Sequence, residues 1–264
     1  MKFAALFALA MLAAPAQDAV KVVRDVGIDQ KLGAQVSLDL PFVDEHGADV
    51  RLGDSFGDRP VVLALVYYQC PMLCTQVLNG IVRVLRGVSL EPGKDFDVVV
   101  VSIDPKETSD LAAAKKANVV TDYGKPSGPK GWHFLVGPET SIRRLADEVG
   151  FRYLYDPASG QFAHASGFVV LTPKGVASRY FYGLEHSASD MRLALVESSE
   201  ERIGTLVDQI LLLCYHYDPA TGRYGFAILN AIRALGVLTI AAIGTFLWIM
   251  LRRDRGASRL QAGT

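Results

Sequence analysis

Apolar positions fall into several kinds of run along this chain, and each kind predicts an element. "RPVVLALVYYQC" (59–70) and "FDVVVVSIDP" (96–105) are continuous and rich in β-branched residues, as in strands covered on both faces. "CTQVLNGIVRVLRG" (74–87) sets Val77, Ile81, Val84 and Leu85 at helical spacing and ends on a glycine. "TSDLAAAKKANVVTDYG" (108–124) reads as a helix with Thr108 or Ser109 as N-cap. "WHFLVG" (132–137) is a short strand, and "PETSIRRLADEVG" (138–150) a helix with proline at its start and glycine at its end. "SGFVVLTPKGVASRYFYG" (166–183) predicts a hairpin turning at 173–175, and a last amphipathic helix runs from about 189 towards 213.

The order is β-α-β-α-β-α, then a β-hairpin and a final helix. Alternation with short connections predicts one α/β domain over 17–215, an open sheet flanked by helices. A terminal antiparallel hairpin on such a sheet is the thioredoxin-like arrangement. No internal repeat or low-complexity linker divides it.

The two ends follow other patterns. "MKFAALFALAMLAAPAQ" carries one lysine, a short apolar run and an A-x-A site, which predicts a signal peptide over 1–16 cleaved after Ala16. "ALGVLTIAAIGTFLWIML" (234–251) has no charge over a length that makes a helix of about 27 Å, enough for a transmembrane span. Arg252, Arg253, Arg255 and Arg259 follow, so the tail 252–264 is expected in the cytoplasm and the main domain on the periplasmic side. A connector, 216–233, joins domain and span. Between the ends, 17–233 holds 22 basic and 27 acidic residues, which argues against nucleic acid as a partner.

The chemistry is expected where the first central strand meets its helix, because sites in open α/β sheets gather at the carboxyl ends of strands. Cys70 and Cys74 stand there, with Pro71 between them. A helix N-terminus favours thiolates, which either exchange with disulfides or bind a soft metal. Four residues apart, both sulfurs can face one site, and Cu(I) accepts two thiolates with an added imidazole. Among the five histidines, His46 reads as a loop residue, His133 as a strand residue and His186 as a cap or loop residue. His216 lies near the membrane segment. His164, in the loop before the hairpin, stands where thioredoxins carry a cis-proline. Alone it reads as a loop or core histidine; beside the cysteines it reads as a ligand.

Cys-x-x-x-Cys after a buried strand, "SIDP" ending the next, a strand–"GP"–helix and a histidine before "GFVVLTPKG" resemble the Sco/SenC family over approximately residues 35–213. The resemblance implies a thioredoxin-like copper protein that assists assembly of cytochrome c oxidase. It implies copper, as Cu(I) or Cu(II), on Cys70, Cys74 and His164, with Asp104 near the site; taken alone, Asp104 reads as a helix-capping or turn residue. The implied partner is the CuA domain of oxidase subunit II, which receives copper or has its cysteines reduced. Met72 and Thr75 replace the family's usual aspartate and proline, Ala163 replaces an aspartate before the histidine, and the expected anchor is C-terminal rather than N-terminal.

Three functions compete on these grounds. The first is a membrane-anchored copper metallochaperone, with the glycine- and proline-rich loop 122–131 as its partner surface. The second is an extracytoplasmic thiol–disulfide oxidoreductase in which Cys70 attacks and Cys74 resolves. The third is a binding module with a structural Cys70–Cys74 disulfide, whose small loop gives limited stabilisation. Cys214 reads as a small hydrophobe, with a second soft-metal site formed with His216 as the rival.

Overall fold

The structure is a computed structural model that describes residues 25–69, 73–157 and 159–202, with short pieces of the C-terminal segment at 217–218, 223–224, 236–241, 243–245 and 248. It divides into two units, Met1–Thr205 and Leu206–Thr264. The first opens with β1 (Gly27–Ile28), β2 (Pro41–Val43), β3 (Asp49–Arg51) and a 3-10 turn, then β4 (Val61–Val66) and α1 (Leu73–Arg86). β5 (Asp97–Ser102), α2 (Ser109–Tyr123), a helical turn at Gly128–Gly131, β6 (Trp132–Leu135) and α3 (Glu139–Glu148) follow. β7 (Phe151–Asp156), β8 (Gln161–His164), β9 (Gly167–Leu171), β10 (Ala177–Tyr182) and α4 (Ala188–Ser199) complete the unit.

Five strands form the central sheet in the order β10-β9-β4-β5-β6. β4 lies parallel to β5, and β5 to β6, while β9 runs antiparallel to β4. Every residue of β4 and β5 is buried, which explains their unbroken apolar sequences: helices and loops cover both faces. α1 turns Val77, Leu78, Ile81, Val84 and Leu85 into this core. Its Gly80 admits the 184 segment, since a Cβ there would stand 2.6 Å from the Leu184 carbonyl oxygen. α2 ends at Gly124 in the left-handed conformation, as its terminal glycine predicts.

Three sequence expectations change. A second sheet, β1-β7-β8, was not foreseen, and it makes His164 the last residue of a strand rather than part of a loop. The final helix ends at Ser199, and the rest of the expected stretch, from 203 towards 213, lies outside the described residues. Ser199 Oγ turns back to the Val196 carbonyl, and Glu201 adopts a φ of 58°, which no helix continues through. The loop 122–131 does not border the expected site. α2 returns from the carboxyl end of β5, so this loop lies at the amino end of the sheet, before β6. It is also tied down there: Tyr123 is buried and Lys125 Nζ donates to the Val88 carbonyl at 3.0 Å.

In the second unit, β11 (Tyr217–Asp218) pairs antiparallel with β12 (Arg223–Tyr224). Helix is described at 236–241, 243–245 and 248, with Val237, Leu238, Ile240, Ile243 and Trp248 exposed. Among the described residues no helix is long and apolar enough to cross a membrane. The expected span 234–251 and connector 216–233 fall partly outside those residues. The signal peptide 1–16 and tail 252–264 fall wholly outside them.

Candidate metal centre

The register of the central sheet brings three segments to its carboxyl edge. Val66, the last residue of β4, pairs with Ser102, the last of β5. Leu63 pairs with Val169, so the antiparallel β9 begins near the end of β4. The chain leading to Cys70, the turn after β5 and the segment carrying His164 are thereby neighbours.

The first segment is firmly built. The buried Tyr68 donates its hydroxyl to the Leu135 carbonyl at 2.7 Å, with the Val100 carbonyl at 3.1 Å. Burial, reinforced by Glu107 and Glu45, pushes this hydroxyl well above its ordinary pKa and keeps it a donor. Behind Tyr68 lies Glu107, 7% exposed, whose carboxylate accepts from the amides of Tyr68 and Gln69 and from Ser102 Oγ. Residues 104–107 form a turn in which the Glu107 amide donates to the Asp104 carbonyl at 3.2 Å. Proline in its second position and aspartate in its first suit such a turn. Asp104 accepts from the Lys106 amide at 2.9 Å, so its carboxylate shapes the turn, the capping reading of this residue.

His164 is 6% exposed and its ring meets Tyr67 edge-on with centroids 6.0 Å apart; Phe151 lies at the same distance. Its Nδ1 is 2.9 Å from the Ala165 carbonyl oxygen. A carbonyl only accepts, so Nδ1 carries the proton and Nε2 the lone pair. Burial lowers the imidazole pKa, against a smaller opposing pull from the Ala165 carbonyl, and keeps the ring neutral at pH 7. The main chain thus fixes the tautomer without the aspartate that Ala163 replaces.

Cys70 and Met72 lie outside the described residues. Cys74 is the second residue of α1, and its side chain is outside them too. Cys214 and His216 also lie outside. The structure brings His164 to within ring contact of Tyr67, three residues before Cys70. Among the described residues no three His, Cys, Asp or Glu side chains gather as a metal site. His46 is an exposed turn residue beside Glu45, and His133 lies in β6 with Nε2 4.0 Å from Asp97. His186 packs edge-on against Phe168 and Phe181. Sequence reasoning missed Glu107; a glutamate in the turn after a buried "SIDP" strand was its only signal. Two thiolates and a neutral imidazole with a fixed tautomer suit a soft metal such as copper.

An open α/β sheet with a cysteine pair after its central strand and a buried histidine beside that strand defines a thioredoxin-like protein. The SCO1/SenC family profile matches residues 29–197, and the chain belongs to that family. No curated protein is significantly similar to it in sequence. Among solved structures, a candidate electron transfer protein from Aquifex aeolicus VF5 shares 26% identity at a TM-score of 0.57, covering 65% of this chain and 96% of its own. ScoI of Arabidopsis thaliana, with copper bound, shares the fold at 14% identity and a TM-score of 0.51, covering 65% of this chain and 99% of its own. BsSco, described as having a disulfide switch, shares it at 17% identity and 0.51, covering 65% and 98%.

Proposed function

We propose that this chain is a membrane-anchored copper metallochaperone that assists assembly of the CuA centre of cytochrome c oxidase. Cys70 and Cys74 supply thiolates and His164 supplies its Nε2 lone pair; copper is the cargo. The observation that carries this reading is the buried His164, with its Nδ1 on the Ala165 carbonyl and its ring against Tyr67. Thiolates suit Cu(I), and the imidazole makes Cu(II) tolerable as well. Family membership supports the role, as do the copper in the plant ScoI and the description of BsSco as one of the cytochrome c oxidase assembly proteins. The partner is the CuA domain of oxidase subunit II. The exposed Val237, Leu238, Ile240, Ile243 and Trp248, with Arg252 and Arg253 following in sequence, support a span over 234–251 that holds the domain 17–215 on the periplasmic side.

The test is copper binding by the reduced full chain in detergent. One copper per chain is expected, with an intense thiolate-to-Cu(II) charge-transfer band. His164→Ala should remove that band and weaken Cu(II) binding far more than Cu(I) binding. Equal loss for both oxidation states would overturn the role of His164. No tight copper, together with a readily cycled Cys70–Cys74 disulfide, would establish a thiol–disulfide oxidoreductase instead.

A further inference from the structure

The buried carboxylate of Glu107 is held by neutral groups. The Tyr68 amide donates to Oε2 at 2.8 Å, the Gln69 amide to Oε1 at 2.7 Å, and Ser102 Oγ to Oε2 at 2.6 Å. Two consecutive amides on the two oxygens of one carboxylate fix both peptide planes immediately before Cys70. A glutamine could not replace this arrangement, because its NH2 group would oppose one of the amide donors. The far side of the cysteine pair is tied to the same β5–α2 unit. Lys115 Nζ donates to Thr75 Oγ1 at 3.2 Å, at the residue after Cys74.

We propose that Glu107 is the positioning residue of the cysteine site. By holding the backbone of residues 68 and 69 it fixes the point from which the chain enters the cysteine motif. Ordering this approach only on binding would cost affinity, so holding it in advance favours binding. This inference rests on the copper reading of the site for its second readout, and on the metal-free chain for its first.

The first experiment is amide hydrogen exchange on the reduced, metal-free full chain in detergent. In Glu107→Gln the amides of Tyr68 and Gln69 should exchange at least about tenfold faster, with the cores of β4 and β5 unchanged. The same variant should bind Cu(II) about tenfold more weakly and shift the charge-transfer band, the scale found for groups that orient metal ligands. Glu107→Asp, which keeps both acceptor oxygens one methylene further back, should recover part of each effect. Wild-type exchange at residues 68 and 69 in Glu107→Gln would overturn the proposal, as would fast exchange with wild-type Cu(II) affinity and band. If the wild-type chain takes up no copper, that failure belongs to the functional reading. The positioning role is then decided by exchange and by closure of the Cys70–Cys74 disulfide with an added disulfide oxidant. Closure should slow about tenfold in Glu107→Gln, and an unchanged rate would overturn it.

Discussion

The two ends of the central sheet each bury a carboxylate, and they hold it in opposite ways. At the amino end Asp97, the first residue of β5, is answered by charge: Arg59 Nε and Nη2 approach Oδ2 at 3.0 and 2.9 Å. At the carboxyl end Glu107 is answered by two amides and a hydroxyl. Coulomb attraction falls slowly with distance and tolerates movement of a long side chain, whereas amide hydrogen bonds weaken steeply with angle. The ion pair therefore secures an edge of the sheet, and the amide-held carboxylate sets the course of a loop. Only the second arrangement lies beside the residues that the function needs.

The largest effect is expected at the amino end. Arg59→Met leaves the Asp97 carboxylate, 2% exposed, without its cation and should cost about 3 kcal/mol of stability by denaturant unfolding. Copper uptake per folded chain should stay at the wild-type value. Glu107→Gln leaves one buried amide poorly satisfied and should cost about 2 kcal/mol, yet it alters the copper spectrum. If Arg59→Met moved the spectrum and Glu107→Gln did not, the distinction between the two ends would fail.

A smaller effect separates the histidines by pH. Burial lowers the pKa of His133, against Asp97 and Glu45, which pull it up; burial also lowers His164 and His186. The folded chain thus prefers these rings neutral, while the unfolded chain protonates them near the ordinary value of 6.5. Their contribution to stability is complete above that pH and is lost as pH falls below it towards the lowered folded values. The denaturant midpoint of the metal-free chain should decline from pH 7 to pH 5. His186→Phe, which keeps a ring against Phe168 and Phe181, should flatten part of the decline. A midpoint that rose on acidification would mean that the Asp97 carboxylate outweighs burial at His133.

The strands and helices that build the core were legible because burial imposes a pattern on every residue. "VVLALV" and "DVVVVS" read as strands covered on both faces, and their register places Val66 and Ser102 at one edge. β7 and β8 were harder to see. Residues such as Tyr155, 42% exposed, stand on a sheet that is only partly covered, so "FRYLYD" carries a weak alternation. That omission put His164 in a loop, whereas it ends β8 with its ring against Tyr67. Glu107 was hidden for another reason. Its amide donors come 38 and 39 residues earlier, and no local pattern encodes a bond across that separation. The glycines and prolines of loop 122–131 mark it as a surface loop, while topology decides which end of the sheet it occupies.

The smallest expected effect concerns the other tie on the cysteine loop. Lys115 Nζ bonds Thr75 Oγ1 at 3.2 Å from a half-buried position on α2, and Thr75 stands in the first turn of α1. A single lysine bond to a hydroxyl fixes neither a peptide plane nor a helix direction, since the ammonium rotates freely on a four-carbon stem. α1 is already anchored by its buried row of Val77, Leu78 and Ile81. Lys115→Met should therefore cost about 0.5 kcal/mol and leave exchange at Tyr68 and Gln69 unchanged. Its Cu(II) band should remain closer to wild type than that of Glu107→Gln. A band shift as large as in Glu107→Gln would make the helix side of the loop, and not its strand side, the end that determines the site.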